Sequence, residues 1–136
     1  MALITFDFDD TLTQTIATWE EDGTLEDTNF GGPNLVMIQC LRACVENGHE
    51  VRVVTSRSKR WEKDTLEKLA EFGVLHLLSG VHHTSCEWKA AWCLGNGLMP
   101  IKHFDDDQEE LDEFEKCFPN IETVKAPLHP AWRGVE

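Results

Sequence analysis

Short aliphatic runs alternate with amphipathic stretches along most of this chain. Ala2 to Phe8, with Leu3, Ile4 and Phe6, reads as a first strand. From Pro33 the apolar positions Leu35, Val36, Ile38, Leu41, Cys44 and Val45 keep helical spacing as far as the stop at Asn47-Gly48. Val51 to Val54 is β-branched and short, the pattern of a buried parallel strand. Ser58 to Phe72 sets Trp61, Thr65, Leu66, Leu69 and Phe72 against a charged face and stops at Gly73, which predicts a helix with one solvated side. Val74 to Leu78 is expected to be a third strand. Thr84 and Glu87 have capping-box spacing ahead of a helix ending at Gly95-Asn96-Gly97. Ile101 to Phe104 predicts a fourth strand, Glu109 to Phe118 a helix stopped by Pro119, and Ile121 to Val124 a fifth strand. Thr11 to Gly32 has no clean period and is expected to form a loop or small flap. The tail from Ala126 reads as irregular.

Strands that alternate with helices in this way predict right-handed βαβ units. The fold class expected is α/β, a three-layer Rossmann-like arrangement with a five-stranded parallel sheet and minimal or no cap. At 136 residues and 41% hydrophobic content, one domain spanning 1–136 with a single core is expected. Twelve basic against 25 acidic residues, a formal net charge of -13, weigh against extensive nucleic-acid binding but leave room for a small phosphate pocket. No apolar run reaches membrane-spanning length and no basic region precedes the first strand, so a cytoplasmic protein is expected. The odd set Cys40, Cys44, Cys86, Cys93 and Cys117 lacks a CxxC pair and reads as reduced core thiols. Cys40 with Cys44, and His82, His83 and Cys86, are the other metal-capable groupings, but neither shows the two ligand pairs of a structural zinc site.

Ligands of open parallel sheets bind beyond the carboxyl ends of the strands. The chemistry-bearing residues fall at those ends: Asp7, Asp9 and Asp10 after strand one, Thr55, Ser56 and Arg57 after strand two, and Asp105 to Asp107 after strand four. Lys89 opens a helix on the same edge. Together these residues offer acids for a hard cation, a hydroxyl and amides for phosphate oxygens, and one ammonium. Asp107 reads as a helix cap. Arg57 either contacts substrate phosphate or pairs with one of the many acids. Trp19 and Trp88 can stack on a substrate, although tryptophans at helical spacing are commonly core, and His82 and His83 are placed in the loop before the Lys89 helix, as solvated loop histidines or, less favoured, lining the entrance.

Here the chain resembles the haloacid dehalogenase superfamily of phosphohydrolases. The resemblance rests on Asp7-Phe8-Asp9-Asp10-Thr11-Leu12 after an apolar strand, on Val53-Val54-Thr55, on Lys89, and on His103-Phe104-Asp105-Asp106. The four motifs come in order and span nearly the whole chain, with Lys102 as a poorer competitor for the lysine. The resemblance implies that Asp7 attacks the phosphoryl group to form an aspartyl-phosphate, and that Asp9 is the general acid and base. It implies Mg2+ held by Asp7, the Asp9 carbonyl and Asp105, with Asp106 as an inner-shell or water-mediated partner. Thr55, with the amides of Ser56 and Asp10, would bind phosphoryl oxygens, and Lys89 would balance charge.

The function expected is therefore a Mg2+-dependent phosphomonoesterase. A site with so little cap suits a bulky phosphorylated substrate, a polynucleotide end or a nucleotide among them, or else is closed by a second copy in a homo-oligomer. A receiver-like module phosphorylated on aspartate and a catalytically silent phosphate- or Mg2+-binding module are the alternatives. The receiver needs an acidic acceptor after the third parallel strand, where this chain is expected to end on Leu77-Leu78-Ser79-Gly80.

Overall fold

The computed structural model describes residues 2–19 and 25–127, with residues 16–19 and 25–30 described by their backbone alone. Five parallel strands form one sheet: β1 (Leu3–Phe6), β4 (Glu50–Thr55), β5 (Gly80–His83), β6 (Lys102–Asp105) and β7 (Glu122–Lys125), in the order β5-β4-β1-β6-β7. A separate antiparallel pair, β2 (Thr13–Trp19) with β3 (Leu25–Pro33), follows β1 directly. The expected α/β fold with a five-stranded parallel sheet is present, and among the described residues this hairpin is what stands between β1 and α1.

Strand alternation sorts the core into two faces. Ile4, Phe6, Val51, Val53 and Phe104 point to one side and pack with Met37, Ile38 and Leu41 of α1 (Leu35–Glu46) and Leu69 of α2 (Glu62–Glu71). Phe6 and Phe104 stack with ring centroids 4.4 Å apart, locking the register of the two central strands. Val54 faces the other side and packs with Ala90 and Cys93 of α3 (Lys89–Gly95) and Phe114 of α4 (Gln108–Cys117). Each fully buried aliphatic or aromatic side chain contributes about 1.5–3 kcal/mol.

Several elements differ from expectation for identifiable reasons. The Thr11 to Gly32 stretch is a hairpin whose register shifts between Thr13 and Thr15 and between Thr18 and Trp19. Those irregularities blur the period-2 pattern that would have announced strands. Helix α1 begins at Leu35 after an Asn34 N-cap, because Pro33 closes β3. Val74 to Leu78 contains a single 3-10 turn at Leu75–Leu77, and the third parallel strand is β5, one step further on. The apolar side chains there fill the space under the sheet edge without pairing. His82 and His83 consequently lie in β5, not in the loop before the Lys89 helix. Thr84 and Glu87 form no capping box: the Thr84 hydroxyl donates to the Glu87 carbonyl at 3.0 Å in a turn where Ser85 and Cys86 take positive φ. Gly73 ends α2 with φ 74, a conformation that favours glycine, as its position after the periodic run predicted. Among the described residues no helix is long and apolar enough to cross a membrane.

Candidate active site

The chain leaves β1 toward β4 and β5 on one side and returns to β6 and β7 on the other, so the strand order reverses next to β1. The crevice beyond the strand ends at such a reversal is where open α/β sheets bind ligands. Asp7 follows β1, its amide donating to the Phe104 carbonyl at 2.9 Å, and Asp105 is the last residue of β6. Because Thr5 pairs with His103, alternation puts Asp7 and Asp105 on the α3 face together. Lys89, the first residue of α3, reaches both: its Nζ lies 2.9 Å from Asp7 Oδ1 and 2.9 Å from Asp105 Oδ2. All three side chains are nearly inaccessible to solvent. Lys102 instead pairs with Glu122 at 3.1 Å, which leaves Lys89 as the lysine at this centre.

Burial raises the Asp7 pKa well above the usual carboxylate range, Asp105 adds to the rise, and Lys89 opposes it. Burial would raise Asp105 as well, but the hydrogen bond from His103 and the Lys89 ammonium outweigh it and hold that carboxyl below its ordinary value. Asp106, partly exposed, is pushed up to about 6 by burial, aided by Asp105 and opposed by Asp7. Burial works against the Lys89 charge, yet Asp7 and then Asp105 overcome it and raise its pKa. Asp7, Asp105 and Asp106 each offer an oxygen within 4.8 Å of the others. Three carboxylates against one ammonium leave an excess of negative charge, and an all-oxygen donor set of this kind fits a hard divalent cation such as Mg2+.

The remaining expected residues are distributed unevenly. Thr55, fully buried at the end of β4, accepts the Arg57 amide at 3.3 Å on its hydroxyl oxygen, which leaves the hydroxyl hydrogen to donate. Ser56 follows, half-buried, its carbonyl accepting from the Cys86 amide at 2.8 Å. The Asp10 amide donates to the Thr13 carbonyl at 2.7 Å, so it is committed to the tight turn and is not directed at a phosphate. Asp10 itself adopts φ 60 there, a left-handed position that aspartate tolerates. Asp9 is engaged by Arg57. Its two carboxylate oxygens accept from Arg57 at 2.7 to 3.1 Å, and Oδ1 also accepts the Thr15 hydroxyl at 2.5 Å. Asp107 caps α4, accepting the Glu109 amide at 2.9 Å.

His82 lies 3.0 Å from an Arg52 nitrogen and against Trp92, and His83 hydrogen-bonds Thr65 at 3.1 Å, so both are used within the fold. Trp88 is exposed at the start of α3. The Trp19 side chain lies outside the described residues. Among the described residues neither cysteine grouping forms a metal-capable cluster, and Asp7, Asp105 and Asp106 do.

Three supporting residues were not expected. The Thr11 hydroxyl donates to Asp7 Oδ2 at 2.9 Å, which fixes the carboxylate from the side opposite Lys89's oxygen. His103 is fully buried, stacked on Phe114 at 3.8 Å, and lies 2.9 Å from Asp105 Oδ2 and 2.7 Å from Thr5 Oγ1. Burial lowers its pKa despite the Asp105 hydrogen bond, so the ring is neutral at pH 7. A carboxylate can only accept, so Nε2 carries the hydrogen and the Thr5 hydroxyl donates to Nδ1. Glu110 of α4, itself buried, accepts the Lys89 amide at 3.1 Å and ties the start of α3 to α4. The signals were an isolated histidine two residues before an acid in a strand and an acid on the apolar face of a helix.

The sheet order and the placement of the motifs at the carboxyl edge give the chain the fold of the haloacid dehalogenase superfamily. No protein-family model matches the sequence, and no curated protein matches it significantly. Solved structures do resemble it. A chain of the Pnkp1/Rnl/Hen1 RNA repair complex superposes with a TM-score of 0.65 at 13% identity, over 91% of this chain and 41% of that one. The N-terminal part of a Bacteroides fragilis protein containing a phosphatase domain, complexed with Mg, matches with a TM-score of 0.63 at 14% identity, over 98% and 38%. A hypothetical protein from Xanthomonas campestris matches at 0.52 and 22% identity, over 96% and 67%. The chain thus spans less than half the length of the first of these structures.

Proposed function

We propose that this chain is a Mg2+-dependent phosphomonoesterase acting through an aspartyl-phosphate on Asp7. The observation that carries the reading is the contact of Lys89 with both Asp7 and Asp105, 2.9 Å each, at the carboxyl edge of the sheet. Asp7, Asp105 and Asp106, with the backbone carbonyl of Asp9, would hold Mg2+, and the bound cation would supply positive charge beside the phosphoryl oxygens.

Asp7 attacks phosphorus with the oxygen not engaged by Thr11, forming an acyl phosphate as the bond from phosphorus to the leaving oxygen breaks. Asp9 delivers its proton to that oxygen and an alcohol departs. A water molecule then attacks the phosphorus, giving its proton to Asp9, and the bond to Asp7 breaks to release inorganic phosphate. Thr55 and the Ser56 amide hold the phosphoryl oxygens, and Lys89 favours the ionised form of Asp7 and offsets the added charge. Arg57, paired with Asp9 at 2.7 Å, is the cation nearest that proton carrier.

With only a hairpin beside it, the site admits a bulky phosphomonoester. A nucleotide or polynucleotide end is consistent with the resemblance to a chain of an RNA repair complex, while the net charge of -13 confines contact to the terminus. The natural setting proposed is cytoplasmic, with the 136 residues forming one catalytic domain. The receiver-like alternative is disfavoured because β5 ends on His82-His83, with no acidic acceptor. Phosphate release from a panel of nucleotides, a 3'-phosphorylated oligonucleotide and an aryl phosphate, with and without Mg2+, tests the reading. Release that requires Mg2+ is expected, and inertness toward every compound would overturn it.

A further inference from the structure

Asp9 is occupied in a way its proposed role does not explain. Arg57 Nε lies 3.1 and 2.8 Å from the two Asp9 oxygens, and Arg57 Nη2 lies 2.7 Å from Oδ1. The Thr15 hydroxyl of β2 takes Oδ1 as well. Both oxygens are therefore covered by donors. The carboxylate is thus held in the guanidinium fork, while its side chain keeps 26% exposure.

The arginine is not loosely placed. Its side chain is 6% exposed, and its guanidinium lies 5.7 Å from the Phe8 ring centroid and 5.8 Å from that of Trp61. A planar guanidinium held between aromatic rings keeps its fork in the geometry that binds carboxylates and phosphates bidentately. The fork's solvent-reachable side is the one that Asp9 covers, and a second anion on the substrate entering there in place of the Asp9 carboxylate would meet the same fork.

We propose that Arg57 is a specificity-determining latch. It keeps the Asp9 carboxylate engaged until an anionic group on the leaving portion of the substrate, a phosphate or a carboxylate close to the ester oxygen, takes its place in the guanidinium fork. The substrate class is then a phosphomonoester with a second anion near the scissile bond. Simple neutral-alcohol phosphates bind at Asp7 but leave Asp9 latched, so they turn over slowly. This inference rests on the phosphatase reading and on Asp9 as its proton carrier.

Matched substrates test it with the whole chain and Mg2+. Glycerol 3-phosphate and 3-phosphoglycerate differ by a carboxylate, and a nucleoside 3'-phosphate and its 3',5'-bisphosphate differ by a phosphate. Charge-assisted contacts of this kind are worth about 10- to 100-fold, so the member of at least one pair that carries the second anionic group is expected to have a kcat higher by about that factor. The pair that responds identifies carboxylate or phosphate as the natural anion. In Arg57→Gln the ratio within that pair is expected to fall to about one, and Arg57→Lys, which keeps the charge but not the fork, is expected to restore part of it. Equal kcat and kcat/KM within both pairs for the wild-type chain would overturn the latch while leaving the phosphatase reading standing. So would an unchanged ratio in Arg57→Gln. Failure to hydrolyse any of the four compounds overturns both, and the wild-type ratios decide the matter even if the variants do not fold.

Discussion

Lys89 Nζ sits 2.9 Å from Asp7 Oδ1 and 2.9 Å from Asp105 Oδ2, joining the ends of β1 and β6 through one buried ammonium. Removing it leaves two buried carboxylates uncompensated. Lys89→Met should destabilise the metal-free protein by about 3–5 kcal/mol, the usual cost of breaking a buried charge pair. Phosphate release should fall by about 100-fold or more. Added Mg2+ should recover part of the stability, because it supplies positive charge to the same oxygens. Thermal denaturation with and without the cation checks the prediction, and an unchanged midpoint in its absence would contradict the electrostatic account.

Asp7→Asn keeps the shape of the side chain and still lets Thr11 donate to its oxygen, but removes the nucleophile. Phosphate release from an aryl phosphate should be abolished, with a loss of about 1000-fold or more. The buried Asp7 carboxylate lies beside two others, so its neutralisation relieves repulsion while it weakens the Lys89 pair. The midpoint of unfolding is expected to move by only a few degrees, and full residual activity would rule out attack by Asp7.

The pH dependence of stability should carry the mark of Asp106. Its folded pKa is raised to about 6 from an ordinary 3.8. Between those values the folded state holds a proton that the unfolded state has lost, so metal-free stability falls as pH rises through that window. Asp105 is shifted the other way, and its contribution is lost only as pH falls below the ordinary carboxylate range. Because Asp106 is partly exposed, screening reduces its effect to the order of 1 kcal/mol. Denaturant titrations from pH 4 to 7 should show this slope in the wild-type protein and a weaker one in Asp106→Asn. Mg2+ should oppose the slope by favouring the ionised acid.

His103 orients Asp105 from behind, held in turn by Thr5 and Phe114. Outer-shell partners of this kind change metal affinity by about 10- to 100-fold when removed. His103→Phe should fill the space and keep the fold largely intact, yet weaken Mg2+ binding by that factor. His103→Gln, which restores a donor, should recover some of the loss. Calorimetric Mg2+ titration is the measurement, and equal affinity in the Phe variant would show that Lys89 and the Asp107 amide position Asp105 without His103.

Much of the architecture was legible because helix and strand periods are local properties. The apolar runs expected at Ala2 to Phe8, Val51 to Val54 and Ile101 to Phe104 became β1, β4 and β6, and the acids after them fell at one edge. The hairpin was not legible, since its register shifts interrupt alternation. Nor was the displacement of the third strand from Val74 to Gly80, where a buried apolar run packs as a turn and the less apolar Gly-Val-His-His segment takes the hydrogen bonds of the β4 edge. Local hydrophobicity reports burial, and only pairing partners decide whether a buried segment is a strand.

For the site itself, the sequence alone determined which acids, hydroxyls and lysines lie near strand ends, because position along a strand follows from the run of residues that forms it. Which of them touch was decided by tertiary structure. Register between β1 and β6 brought Thr5 to His103 and Asp7 to the side of Asp105, and the packing of α3 on α4 carried Lys89 to both, in preference to Lys102. The pairing of β1 with β4 set Asp9 beside Arg57, whereas the Asp10 amide is taken locally by the Thr13 carbonyl. A side chain's partner depends on residues up to 98 positions away in the chain, as in the Thr5–His103 hydrogen bond, and a local pattern carries no record of contacts at that separation.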